Sequence, residues 1–478
     1  MTLAARLRET LGPASVFEAA EDVIVYEYDY GLDRAMPDVV ALPRSTADVQ
    51  LIVREAQAAG VPIIARGAGT GISGGAVPAQ GGIVVSLARM NRVLEIDADN
   101  RCAVVQPGVV NLDLSKLAER YGLFFAPDPS SQKVSTIGGN IANNAGGPHC
   151  LSLGVTVNHI LGVELVRHDG SVVRLGGKAP DGPGMDLTGV VVGSEGTLGV
   201  VTEATVRLLP LPEAVRTTLA LFASVDAASA AVSDLIGRGV VPSALEMMDR
   251  LALSAIEAAF HAGYPPEAGA VLLVEVDGLL EQVENQAAIV DAVCRDAGAI
   301  EIRLAASDEE RARLWAARKG AASAMGRIAP NYYLHDAVVP RTRLPTILAQ
   351  VVEIGQRYDL PIANLFHAGD GNLHPMILFD VRQEGILERV MAAGREILTR
   401  CVEAGGTITG EHGVGLEKQD FMPLIFSADD LEVMARVRTA IDPSGNFNPA
   451  KVLPTPEHTR TQMRPKAAPS RIPEGVWV

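Results

Sequence analysis

Cysteine is scarce in this chain: 478 residues contain four, Cys102, Cys150, Cys294 and Cys401, and no two share CxxC spacing. That excludes a zinc ribbon or an iron–sulfur framework, and isolated thiols fit a reducing compartment. Aromatic residues make up only 4%, so stacking platforms for nucleic-acid bases are not expected. Positive charge is in deficit. Lys and Arg number 41 against 57 Asp and Glu, a formal net charge of −16, which excludes a basic nucleic-acid footprint. Long apolar runs are missing as well. The best stretch, Ala268 to Leu280, is broken by Glu275 and Asp277, so no bilayer span is expected. The N-terminus carries Arg6, Arg8 and Glu9 with no apolar run behind them, unlike a secretory signal. These absences predict a soluble, cytoplasmic protein.

What is present is apolar mass and glycine. Apolar residues reach 48%, with 47 Gly and 29 Pro. The length suggests two to four domains at roughly 100–200 residues each. Residues 45–60 read as a helix opened by Ser45 and Asp48. Strands are expected at Val61–Arg66, Ile83–Leu87, Val93–Asp97 and Cys102–Gly108, with a helix at about 111–121. Leu161–Leu175 reads as a hairpin turning at Asp169-Gly170. Gly189–Leu208 reads as two strands around a glycine-rich bend. A boundary falls at Pro210–Pro212. Beyond it, helices are expected near 226–237, 278–297, 308–326, 342–357, 383–404 and 428–440. Strands are expected near 216–223, 270–276, 332–339, 362–367 and 373–380. From Pro454 the chain turns Pro- and Arg-rich, as a mobile tail would.

RGAGTGISGG (Arg66 to Gly75) spells GxGxxG at Gly69, Gly71 and Gly74. A dinucleotide turn of the Rossmann type needs a helix immediately afterwards. Pro78, Gly81 and Gly82 forbid one. Two more glycine-rich stretches follow, Ser135–Gly147 and Gly193–Gly199. Three such loops beside strands suggest one extended ligand of dinucleotide length. Thr70, Ser73, Ser131, Thr136, Asn140, Asn143 and Asn144 suit a ring edge rich in donors and acceptors. The competing reading is ordinary surface loops.

Three of the nine histidines fall in two short polar motifs. NLFHAGDGNLHPMILF places His367 and His374 seven residues apart. On one continuous strand they would face opposite ways, but a bend at Asp370-Gly371 lets them converge. TGEHGVG places Glu411 beside His412. Two His and one Glu form a first-row divalent metal set with open positions, and a further imidazole can act as base. Hydrogen-bonded core histidines are the alternative. In LWAARKGAASAMGRIAP, Trp315, Arg318 and Ala322 share a helical face, and a guanidinium matches a carboxylate fork. Lys319 and Arg327 are second candidates, and Tyr332 and Tyr333 are expected to line a pocket or pack in a strand.

The set RGAGTG, PDPSS, TIGGNIANNAGG and GSEGTLGVVTE resembles the FAD-binding domain of the vanillyl-alcohol oxidase/p-cresol methylhydroxylase superfamily. Within it, the chain is similar to the D-2-hydroxy-acid branch that includes glycolate oxidase and the D-lactate and D-2-hydroxyglutarate dehydrogenases. The resemblance covers about residues 40–453. It implies an α+β fold: a two-subdomain FAD-binding domain (1–212), an α+β substrate or cap domain carrying the metal site (213–453) and a tail (454–478). The loop that tethers flavin through a His in some members has no His here, which implies non-covalent FAD. The resemblance implies flavin contacts from Arg66, Gly67, Ala68, Gly69, Thr70, Gly71, Ser73 and Gly74, and from Pro107, Pro127, Ser130 and Ser131. Further contacts are implied for Thr136, Gly138, Gly139, Asn140, Asn143, Gly146 and Gly147, and for Gly193, Glu195, Gly196, Gly199 and Val200. It implies His367, His374 and Glu411 as ligands of a divalent ion, zinc or manganese, His412 as base and Arg318 as carboxylate anchor. The activity implied is oxidation of a small D-2-hydroxy acid to the 2-oxo acid, with hydride passing to the flavin. Apolar Leu334 and Met376 favour glycolate or D-lactate over 2-hydroxyglutarate.

No second redox centre is visible in the chain, so electrons must leave for an acceptor protein or quinone. The resemblance implies partners: a second flavin-type subunit and an iron–sulfur subunit at the inner membrane face, with peripheral attachment through them. Oligomeric state stays open, a homo-oligomer included. Other readings remain: a non-redox flavin transferase resembling alkylglycerone-phosphate synthase, a flavin-free metal protein, and a catalytically idle electron-transfer subunit.

Overall fold

The computed structural model describes residues 1–179, 182–265 and 268–455. The expected tail lies outside the described residues from 456 onward.

Among the described residues three large sheets, beside a two-stranded one of Leu123–Phe124 and Leu209–Pro210, organise the chain. The first has four strands in the order Val16–Phe17, Val39–Ala41, Ile83–Ser86, Ile63–Arg66, the last three parallel. The helix Thr46–Ala59 packs against it through Val49, Ile52, Val53 and Ala56. Ser45 Oγ accepts the Asp48 N–H at 3.2 Å, and Gly60 closes the helix in the left-handed region, the sequence signals expected of such ends. The second sheet is antiparallel, in the order Val93–Asp97, Cys102–Val105, Val200–Arg207, Ile160–Val166, Val172–Gly176. No helix lies between Arg66 and Ile83, as Pro78, Gly81 and Gly82 require.

The third sheet, with eight strands, fills the C-terminal half. Its order is Glu301–Leu304, Ala214–Phe222, Ala270–Gly278, Ala244–Asp249, Ile362–His367, Asn372–Phe379, Asn331–Leu334, with Ala337–Val338 pairing beside the last on Asn372–Phe379. All its pairings are antiparallel. Both faces are buried under helices. Ala220, Phe222, Leu245, Met247, Leu373 and Ile377 join one core, and Leu219, Leu221, Ala244, Met248, Leu365 and Met376 the other. With period two along a strand, the face of Ala244, Met248, Leu365 and Met376 also carries Glu246, His367 and His374. A doubly covered sheet has no polar face to spoil the apolar run, and among the buried polar side chains on this face His367 and His374 stand where the second core opens into a cavity.

Three expectations are corrected. Gly189–Leu208 holds one strand, Val200–Arg207, preceded by the short helix Leu187–Val191. Asp186 Oδ1 accepts the Gly189 N–H at 2.9 Å and opens that helix, overriding the strand propensity of the valine run. The helix expected over 308–326 breaks at Gly320 into Asp308–Lys319 and Ala321–Ala324. The strand Ala244–Asp249 and the helices Arg250–Phe260 and Ile137–Asn143 were not anticipated.

Candidate functional site

A cavity of about 410 Å³ lies between the glycine loops and the eight-stranded sheet. On one wall stand Arg66, Gly67, Ala68, Gly69, Thr70, Gly71, Pro107, Ser130, Ser131, Thr136, Gly138, Gly139, Asn140, Asn143, Gly146, Glu195 and Gly196. The helix Ile137–Asn143 starts at Thr136, whose Oγ1 accepts the Gly139 N–H at 3.3 Å, and ends at Asn144 in the left-handed region. It must be glycine-rich because it packs flat: a Cβ on Gly138 would lie 2.6 Å from Pro107 Cβ. Gly69 has φ +70°, and any Cβ there would strike the Arg66 guanidinium.

Seven of the expected flavin residues stand off this lining. Ser73 is buried and its Oγ donates to the His412 carbonyl at 3.0 Å. Gly74 packs on Leu416, and Gly193 faces Asn144. The Pro127 carbonyl accepts the Asn111 side-chain amide at 2.8 Å. Gly147 packs on Asp128, Gly199 on Val166 and Leu165, and Val200 opens a core strand at 0% exposure. Glu195 does reach the cavity, but its carboxylate accepts the Val414 and Gly415 N–H groups at 2.7 and 2.9 Å. It ties the His412 loop to the glycine wall.

The opposite wall holds Arg318, Lys319, His367, His374, Glu411 and His412, with Ala322, Tyr332, Leu334, Leu365 and Met376 around them. The hairpin bend at Asp370-Gly371 folds His374 back beside His367, with ring centroids 5.0 Å apart. His412 stacks on His374 at 5.1 Å. The Nε2 atoms of His367, His374 and His412 lie 3.3, 3.2 and 3.3 Å from Glu411 Oε1. Donor atoms of Asp336, His374, Glu411 and His412 fall within 4.8 Å of one another. Three imidazole nitrogens converging on one carboxylate is the donor set a divalent cation takes.

Two residues that the sequence did not single out shape this set. Asp336, fully buried, accepts on Oδ2 from Thr409 Oγ1 at 2.6 Å and from the N–H groups of Gly410, Glu411 and His412 at 3.1, 3.2 and 2.9 Å. It wraps the Glu411–His412 loop around one oxygen. Glu246, also fully buried, stands opposite His367 in the sheet register, with Oε1 2.6 Å from His367 Nδ1. Its Oε2 lies 2.5 Å from Arg318 Nη2. Burial works against its charge, but Arg318 and His367 outweigh it and hold the carboxyl below its ordinary pKa. The one signal available for it is a lone Glu in the apolar stretch Ala-Leu-Glu-Met-Met.

Arg318 is 3% exposed, and among the described residues no acceptor lies in line with its Nε–H and Nη2–H bonds. Nη2 is spent on the close ion pair with Glu246, and the Arg318 side chain lines the cavity. Lys319 pairs with Asp128 at 2.8 Å, and Trp315 turns away to donate to Glu275 at 2.6 Å. Arg327 is not on the lining, and Tyr333 packs edge-on against His335. His149 links the halves: Nδ1 lies 2.9 Å from Asp128, Nε2 3.6 Å from Glu275, and the ring stacks on Trp315. Burial opposes its charge, yet the two carboxylates push its pKa up to about 10.

An FAD binding domain model matches residues 37–176, and one for the C-terminal domain of FAD linked oxidases matches residues 211–452. Fold and cavity thus define an FAD-binding oxidoreductase. The chain belongs to the FAD-linked oxidase family. It is 46% identical over 451 residues to the glycolate oxidase subunit GlcD of Escherichia coli (strain K12), covering 94% of this chain and 90% of the relative. A D-lactate dehydrogenase of Anaerostipes hadrus is 31% identical, covering 88% of this chain and 90% of the relative. The solved structure of p-cresol methylhydroxylase with substrate bound shares the fold, with TM-score 0.80 at 17% identity over 94% of this chain and 96% of that one.

The residues present fit a flavin. Asn140 Nδ2, Ser135 Oγ and Asp29 Oδ2, all buried and on the cavity, have no hydrogen-bond partner among the described residues. Buried polar atoms are normally satisfied, so these mark places where a ligand's donors and acceptors belong. They also fit a first-row divalent cation, by the chemistry of the donor set described above.

Proposed function

We propose that this chain oxidises a small D-2-hydroxy monocarboxylate, glycolate or D-lactate, to the 2-oxo acid. The observation that carries this is the convergence, in one cavity, of the Arg318 guanidinium, three imidazoles around Glu411 and the glycine wall. The Arg318 fork binds the substrate carboxylate. His412, held by Asp336 through its backbone N–H and stacked on His374, takes the hydroxyl proton on a ring nitrogen. When bound, FAD would supply the hydride acceptor for the carbinol carbon, and a divalent cation, which His367, His374 and Glu411 would hold, would supply the charge that lowers the hydroxyl pKa. Leu334, Leu365, Met376 and Ala322 leave an apolar wall beside the anchor, where a second carboxylate would be stranded.

The relative named as a glycolate oxidase subunit supports a role as one subunit of an assembly. The partner would be an electron acceptor, a protein or a quinone, an iron–sulfur subunit among the candidates. Among the described residues no helix is long and apolar enough to cross a membrane. The test is anaerobic mixing with D- and L-2-hydroxy acids, 2-hydroxyglutarate included, while flavin absorbance is followed. Bleaching by glycolate or D-lactate, and little by the L-forms or the dicarboxylate, is expected. Bleaching by no 2-hydroxy acid rejects the reading.

A further inference from the structure

A carboxylate in the middle of a buried strand is costly. Buried ion pairs seldom stabilise more than apolar residues of the same volume, so Glu246 calls for a reason other than stability. The same sheet face offers a control. Glu275 is also buried, but its oxygens go to Thr217, Arg311 and Trp315, none of which lines the cavity. Both partners of Glu246 do. Oε1 lies 2.6 Å from His367 Nδ1, and Oε2 lies 2.5 Å from Arg318 Nη2.

We propose that Glu246 is a positioning residue that ties the cation-binding imidazole of His367 to the substrate-binding guanidinium of Arg318. This rests on the reading under Proposed function and adds a residue to it. A neutral imidazole that donates from Nδ1 carries its lone pair on Nε2, and His367 Nε2 is the atom that faces Glu411. The same carboxylate holds the Arg318 head at Nη2, on the wall of the cavity. The strand Ala244–Asp249 is hydrogen-bonded on both sides, so its backbone cannot drift. One rigid side chain therefore sets the spacing between the cation position, where the hydroxyl belongs, and the carboxylate anchor. In a site where small misplacements are costly, that spacing selects an acid with hydroxyl and carboxylate on adjacent carbons.

The test is Glu246→Gln in the full-length flavin-loaded protein. Affinity for Zn²⁺ and Mn²⁺ is measured by competition with a chromophoric chelator, and kcat and KM for D-lactate and glycolate at limiting and saturating cation. The expected result is cation affinity weakened about 10- to 100-fold. Saturating cation should recover much of the lost kcat, and KM for the acid should stay raised about tenfold because the Arg318 head is loose. A purely structural role would lower the melting temperature and flavin content without moving cation affinity. If Glu246→Gln fails to fold, Glu246→Asp keeps the charge on an arm too short for both partners, and the same two losses are expected of it. Unchanged cation affinity and KM in a variant, beside a wild type that binds the cation and bleaches with acid, overturn the inference and leave the functional reading intact. A wild type that binds no cation overturns both.

Discussion

The two walls of the cavity are built by opposite means. The glycine wall presents backbone and small side chains, and its specificity lies in what is missing: Cβ atoms that would block approach and, among the described residues, hydrogen-bond partners for Asn140 Nδ2 and Ser135 Oγ. The facing wall is made of buried charge. Glu246, Asp336, Arg318 and Glu411 all have their polar ends inside the protein. A backbone wall tolerates change where the Cβ has room, whereas a buried charged network loses function when any one member leaves its partner unpaired. The first wall suits a large cofactor held along its length; the second suits a small anion whose reacting atoms must be placed closely.

That contrast can be broken at either wall. The largest effect is expected at His412. Its replacement by Asn should slow flavin bleaching by D-lactate about 10²- to 10⁴-fold while flavin stays bound, as measured by anaerobic stopped flow. Arg318→Ala should lower kcat/KM for glycolate and D-lactate about a hundredfold or more, since it strips an anion of a buried partner, again with flavin content unchanged. Substitution on the glycine wall should show the reverse pattern. Gly138→Ala drives a Cβ into Pro107 and should weaken FAD binding about tenfold, read by flavin retention on gel filtration, while the reloaded enzyme keeps its KM for acid. Should Gly138→Ala shift KM and leave flavin retention alone, the division of labour fails.

The smallest effect concerns the link between the walls. His149 has a folded pKa raised from 6.5 to about 10 by Asp128 and Glu275 against the effect of burial. A raised pKa means that its stabilisation is complete below pH 6.5 and is lost as pH rises through about 10. Wild type should therefore melt a few degrees above His149→Gln near pH 6.5, with the gap closing towards pH 10. A gap that stays constant across that range would show that His149 does not carry charge in the link.

The glycine wall was legible because its motifs are contiguous and glycine has few other uses beside a strand. What it hid was the helix Ile137–Asn143, since a heptad with two glycines has poor helix propensity and forms here because Thr136 and Asn144 cap it. The charged wall was legible only where two site residues share one short motif, as in His367 to His374 and Glu411-His412. Glu246 and Asp336 reach the site from separate strands and the turn after one of them, and no spacing rule links them to it. The run of Ile, Val, Leu and Met on both faces of the eight-stranded sheet erased the alternation that would have shown which face opens on the cavity. Trp315 shows the converse: it shares a helix with Arg318, but its indole is spent on Glu275.

The central claim is that flavin and divalent cation serve one reaction in one cavity. It is tested most directly by stripping the purified flavoprotein of metal with a chelator and mixing it anaerobically with D-lactate, before and after Zn²⁺ or Mn²⁺ is restored. Bleaching should fall at least tenfold on stripping and return with the cation, with flavin content constant throughout. Equal bleaching in the stripped and restored protein would contradict the account.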